Sequence, residues 1–219
     1  MNVFVSVGTG LNPQQEAFVS AIEARLRAVG LIPCTIGRNT FSADAPLHAV
    51  VDLMDRCAGA VVIALERYRF TNGVERRGSA KERSVGVVAL PTPWNQIEAA
   101  MAYSRGLPLL VLVDESLRCD GLLEKGNDWY VLELALDPTS LNSPAFSGVV
   151  DSWRDRVRKQ QQASPAVSLI ETKPNPGAMS VAELLGALKP AQLWAAVGAF
   201  VSVATAAFVL GMKLTGKIG

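Results

Sequence analysis

One histidine and three scattered cysteines leave this 219-residue chain poor in the side chains from which metal centres are built. His48 stands at the start of an expected helix with no cysteine or carboxylate cluster near it in sequence, so a structural role is expected, and neither a metal nor a cofactor. Cys34, Cys57 and Cys119 are odd in number and make no Cys-x-x-Cys pair. They read as free thiols in a reducing compartment, which argues against both a disulfide framework and a zinc site. Charge of one sign is missing as well: the formal net charge is +1 and the basic residues are mixed with acidic ones, so nucleic acid is not an expected partner. The N-terminus lacks a basic stretch, and its apolar run 3–7 is too short for a signal peptide. That run reads as a buried first strand, with the N-terminal part of the chain expected in the cytoplasm. No internal repeat is found.

Apolar periodicity supplies the elements. After the run 3–7 and Gly8, Asn12-Pro13-Gln14-Gln15 offers an N-cap, a proline at the first helical position and a glutamine at the third. Phe18, Ile22, Leu26 and Val29 then keep one apolar face until Gly30, and residues 31–36 form the next apolar run. The same reading gives a helix at 47–56, strands at 60–65 and 109–113, a helix at 94–105, a last strand at 130–136 and a last helix at 144–162. Strands without polar alternation are buried on both faces, which means a parallel sheet covered by helices, an α/β fold. Residues 66–89, rich in arginine and glutamate, read as a long loop insertion.

The C-terminal quarter reads differently. Domain 1–162 is followed by a proline-containing linker at 163–180 and a short juxtamembrane helix at 181–189 opened by the capping box Ser180 to Glu183. Residues 190–212 contain no charged side chain; as a helix they would span about 34 Å, enough to cross a bilayer, ahead of a short tail at 213–219. Ala191, Ala195 and Ala199, with Gly198, Ser202 and Ala206, make rows of small residues that would let two such helices approach closely, or that simply reflect transmembrane composition.

Ligands of a doubly wound sheet bind at the carboxyl ends of its strands. The polar residues expected there are Ser6, Gly8, Thr9 and Gly10 after the first strand, Arg38 and Asn39 after the second, and Glu66 and Arg67 after the third. The Gly-x-Gly of residues 8–10 would let backbone amides meet an anion, or it is a plain tight turn. The stronger signal is Thr92-Pro93-Trp94-Asn95-Gln96-Ile97-Glu98, a capped helix start with Trp94 and Glu98 four residues apart on one face. Glu98 is either a carboxylate aimed into the cleft, its pKa raised by partial burial, or a surface glutamate favoured by the helix dipole.

Val3-Phe4-Val5-Ser6 resembles the first strand of TIR (Toll/interleukin-1 receptor) domains, and residues 92–98 resemble the TIR pattern of serine, any residue, tryptophan, cysteine, two residues and glutamate. A more distant likeness is to the nucleoside 2-deoxyribosyltransferases. Asn95 stands in place of the TIR cysteine, and Thr92 in place of the aspartate that the transferases carry six residues before their glutamate, so base exchange is not expected. The resemblance implies a flavodoxin-like doubly wound sheet in which Glu98 is the NAD-cleaving carboxylate, Trp94 and Asn95 belong to the site, and 38–46 forms a loop over it. NAD is then a substrate rather than a cofactor. It further implies a self-associating, single-pass membrane effector of bacterial antiphage defence, with a nucleotide or NAD and membrane lipid as partners. The alternatives are a non-catalytic module that senses a nucleotide and acts through its transmembrane helix, and a scaffold that recruits partners.

Overall fold

The computed structural model describes residues 1–163. The expected juxtamembrane and transmembrane segments at 181–189 and 190–212 lie outside them, and among the described residues no helix is long and apolar enough to cross a membrane.

Strand β1 (Asn2–Val7) leads through α1 (Pro13–Ala28) to β2 (Ile32–Cys34), then through α2 (Pro46–Met54) to β3 (Ala60–Ala64). Local chemistry fixes these starts and stops. At α1, Asn12 accepts a hydrogen bond from the Gln15 amide at 2.9 Å while Gln15 accepts one from the Asn12 amide at 3.1 Å, the reciprocal capping the sequence announces. A residue without a Cβ ends the helix: Gly30 follows the C-cap at φ +81°.

The chain continues through β4 (Tyr68–Phe70), β5 (Gly73–Glu75), β6 (Arg83–Val85) and β7 (Val88–Leu90) to α3 (Pro93–Ser104), β8 (Leu109–Asp114), β9 (Tyr130–Leu134) and α4 (Pro144–Ala163). Five strands form one parallel sheet in the order β2-β1-β3-β8-β9. That is the flavodoxin-like winding, which reverses direction between β1 and β3. Alternation along the strands builds two cores. Val3, Val5, Val61, Ile63, Leu110 and Leu112 pack with Phe18, Ile22 and Leu26 of α1 and Phe146, Trp153 and Val157 of α4. Phe4, Val62, Ala64, Val111 and Val113 pack with Val50, Leu53 and Met54 of α2 and Ala99 and Ala102 of α3.

The segment at 66–89 is not the loop expected from sequence. β4 pairs antiparallel with β7, and β5 with β6, so the insertion folds back on itself as an antiparallel arm. Mixed charge disguised it: Arg83 and Arg118 both bond the Glu75 carboxylate, at 2.7 and 3.1 Å, tying the arm's tip to the loop after β8.

Candidate active site

The reversal of winding between β1 and β3 opens a crevice at the carboxyl ends of those strands, and a cleft of about 510 Å³ lies there. Val7, Gly8 and Thr9 form one side, Arg67 and Tyr68 of the arm another, and Thr92, Trp94, Ile97 and Glu98 of α3 a third. Thr92 caps α3 with its hydroxyl facing the Trp94 amide, and Pro93 takes the first helical position. Ala99 and Ala102 lie fully buried against the sheet, so a close-packed helix holds Glu98 one turn in from its start, half-buried on the cleft wall.

Burial pushes the Glu98 carboxyl up to about 7, and the Ser6 hydroxyl at the end of β1 pulls it back by a smaller amount. No charged neighbour contributes to that shift. A carboxyl poised there is divided between its two protonation states near neutral pH, the condition for stabilising a developing cation or moving a proton. The thiols are not so poised: burial lifts Cys57 to about 12 and Cys119 to about 11. Among the described residues no cluster of histidine, cysteine, aspartate and glutamate is arranged to hold a metal ion.

Of the residues expected at the site, Gly8, Thr9, Arg67, Trp94 and Glu98 line this one cleft. Arg67 donates from Nη1 to the Thr9 carbonyl at 2.7 Å and makes no ion pair with a carboxylate among the described residues. Gly10 allows that docking, since its φ is +70° and a Cβ there would stand 3.4 Å from Arg67 Nη1. Ser6 and Asn95 lie behind the wall, each 1% exposed.

Three expected residues are placed elsewhere. Arg38 lines a small hollow of about 130 Å³ beside the Gly8–Gly10 turn, but its guanidinium is held by Glu16 at 2.8 Å and Glu23 at 2.7 Å. Asn39 shapes its own turn, accepting from the Thr35 amide at 2.7 Å and donating to the Pro33 carbonyl at 2.9 Å. Glu66 pairs with Arg69 at 3.1 Å and faces a separate hollow with Asp114 and Asp137.

Sequence reasoning missed Ile36, Pro46, Val50, Tyr68 and Ile97, which also line the cleft. Tyr68 had a signal, an aromatic directly after a candidate ligand arginine, but it sat inside a segment read as a solvated loop. Pro46 and Ile36 flank the 38–46 loop, so that loop springs from the rim of the cleft.

No family model matches the chain, and no curated protein does. Among solved structures it is similar to a CMP N-glycosidase of Clostridium botulinum, at 11% identity over 74% of this chain and 99% of that one, with a TM-score of 0.39. It is also similar to a 2-desoxiribosyltransferase from Leishmania mexicana, at 15% identity over 68% of this chain and 97% of that one, with a TM-score of 0.40.

Proposed function

We propose that this chain cleaves the N-glycosidic bond of a nucleotide, with NAD as the foremost substrate and Glu98 as the catalytic residue. The observation that carries the reading is the half-buried Glu98 carboxyl on the wall of a nucleotide-sized cleft that Arg67 also lines. Trp94 and Tyr68 line the cleft and are 42% and 48% exposed, aromatic rings available to a base, while Arg67 offers guanidinium donors to phosphate. Cleavage of NAD releases neutral nicotinamide from a pyridinium and leaves positive charge on the ribose; a carboxylate beside the anomeric carbon stabilises that oxocarbenium until water adds and a proton is lost.

The working form of Glu98 in that reaction is the anion. Nicotinamide release therefore rises with pH through about 7 and levels off above it. The same proposal makes the chain a self-associating effector of bacterial antiphage defence, tethered to a membrane by residues 190–212. Its support is the TIR-like pattern at 92–98 and the uncharged length of that segment.

The purified chain incubated with NAD, followed by chromatography for nicotinamide, tests the activity. Glu98→Gln, nearly isosteric but unable to carry charge, is expected to lower turnover by about 100-fold or more without loss of fold. Turnover unchanged in that variant moves the chemistry away from Glu98. Nucleotide binding without turnover in the parent makes the cleft that of a sensing module instead.

A further inference from the structure

Serine is out of place on β1. Its neighbours on the same face of the sheet, Phe4 on β1 and Val62 across the register on β3, are fully buried and apolar, yet Ser6 is equally buried. Asn95 is buried too, in the first turn of a helix whose inward positions are otherwise alanine. The two meet: Asn95 Nδ2 donates to Ser6 Oγ at 2.9 Å and lies 3.5 Å from the Ile63 carbonyl. That carbonyl fixes the amide's orientation, because the flipped amide would set oxygen against oxygen. Ser6 Oγ thus accepts, and its own single proton is left to be donated elsewhere. The Glu98 carboxyl lies one helical turn beyond Asn95, and the Ser6 hydroxyl lowers its pKa against the larger effect of burial, which marks the carboxylate as the acceptor available to that proton.

We infer that Asn95 and Ser6 form a buried relay that positions the Glu98 carboxylate, Asn95 fixing the direction of the Ser6 hydroxyl and the hydroxyl holding the anion. Two polar side chains buried in an apolar core each cost free energy unless they are hydrogen-bonded. The orphaned Oδ1 of Asn95, buried with no partner among the described residues, marks a cost that packing alone does not recover. An apolar pair of the same volume would fill the space without it. The relay explains why the polar pair is there, and it makes Ser6 and Asn95 positioning residues.

The inference rests on the proposed role of Glu98, but its test does not need turnover. In the full chain carrying carbon-13-labelled glutamate, the Glu98 carboxyl, assigned by its loss in Glu98→Gln, is titrated by NMR. The groups able to disturb that titration from the cleft walls are the Arg67 guanidinium and the Tyr68 phenol, and neither is altered. Ser6→Ala is expected to move the midpoint upward by about half a unit to one unit, the loss of one hydrogen bond to the charged form. Asn95→Ala, which frees the hydroxyl to turn away, should move it in the same direction. The double variant should move it no further than Ser6→Ala alone, and Ser6→Thr, which keeps the hydroxyl, should restore it.

A midpoint unmoved in folded Ser6→Ala overturns the relay, as does a double variant whose shift is the sum of the two. Should Ser6→Ala not fold, Asn95→Ala against Ser6→Thr decides the same point. If no variant and no parent releases a base while the titrations behave as described, the relay stands and the glycosidase reading falls.

Discussion

Burying Glu98 has a consequence for stability as well as for chemistry. Folded, the carboxyl holds its proton up to about pH 7; unfolded, it gives it up near its ordinary value of 4.5. Between those values the native state binds more protons than the unfolded one, so stability falls as pH rises through that window and is flat above it. The full difference is at most about 3 kcal/mol, less in proportion to the side chain's contact with water. Glu98→Gln removes the group that titrates. Denaturant unfolding should therefore show parent and variant equally stable near pH 4 and the variant more stable at pH 8. A gap of the same size at both pH values would place the carboxyl in open solvent. Glu98 was legible in the sequence because a capped helix start with a tryptophan one turn before a glutamate is a local pattern. The burial of Ser6 and Asn95 was only half legible. A serine in an apolar strand and an asparagine in a helix of alanines each flag a polar group in a core, but nothing in one dimension says that they meet 89 residues apart. Arg38 was misleading for the same reason, since the carboxylates that hold it come from α1, whereas Glu66 pairs with Arg69 only three residues on, inside the segment read as a loop.

The helices and sheet strands announced themselves, and their expected limits lie within a few residues of those observed. Apart from the three-residue β2, which sits within the apolar run 31–36, each is a run long enough for periodicity to dominate. The arm of β4 to β7 did not: its strands are as short as β2 but, β7 apart, they are largely exposed and interspersed with charge, so no buried apolar run marks them. Packing between elements was the other hidden layer. Gly59, just before β3, lies directly under α4: a Cβ there would stand 2.7 Å from Val157 Cγ2 and 3.1 Å from Trp153 Cζ2. Trp153 cannot withdraw freely, since its Nε1 donates to the Pro108 carbonyl at 2.9 Å. Gly59→Ala is therefore expected to lower unfolding free energy by about 1–3 kcal/mol, an overpacking cost rather than a backbone one. Combining it with Val157→Ala, which removes the nearest methyl, should return part of that loss, and a double-mutant cycle measures the coupling. Costs that simply add would show α4 free to slide away from the strand.

At the scale of the whole molecule, the switch point between β1 and β3 decides where a ligand can sit, and α4 is the last element of the described residues. Among the described residues, α1 and α4 cover one face of the sheet and α2 and α3 the other, and Val157 is the last side chain in either core. The linker read at 163–180 and the uncharged stretch at 190–212 would then add location rather than stability, holding the cleft at a bilayer surface while the domain folds by itself. Truncation after residue 163 is accordingly expected to give a soluble fragment that unfolds in one cooperative transition and keeps whatever nucleotide affinity the parent has. The full chain is expected to sediment with membranes and to stay in the pellet through alkaline carbonate, because about 20 apolar residues in a helix partition into hydrocarbon independently of protein contacts. Aggregation of the fragment would mean that the core borrows surface from beyond α4. Release of the full chain by carbonate would mean that the stretch at 190–212 packs against protein and does not span a bilayer.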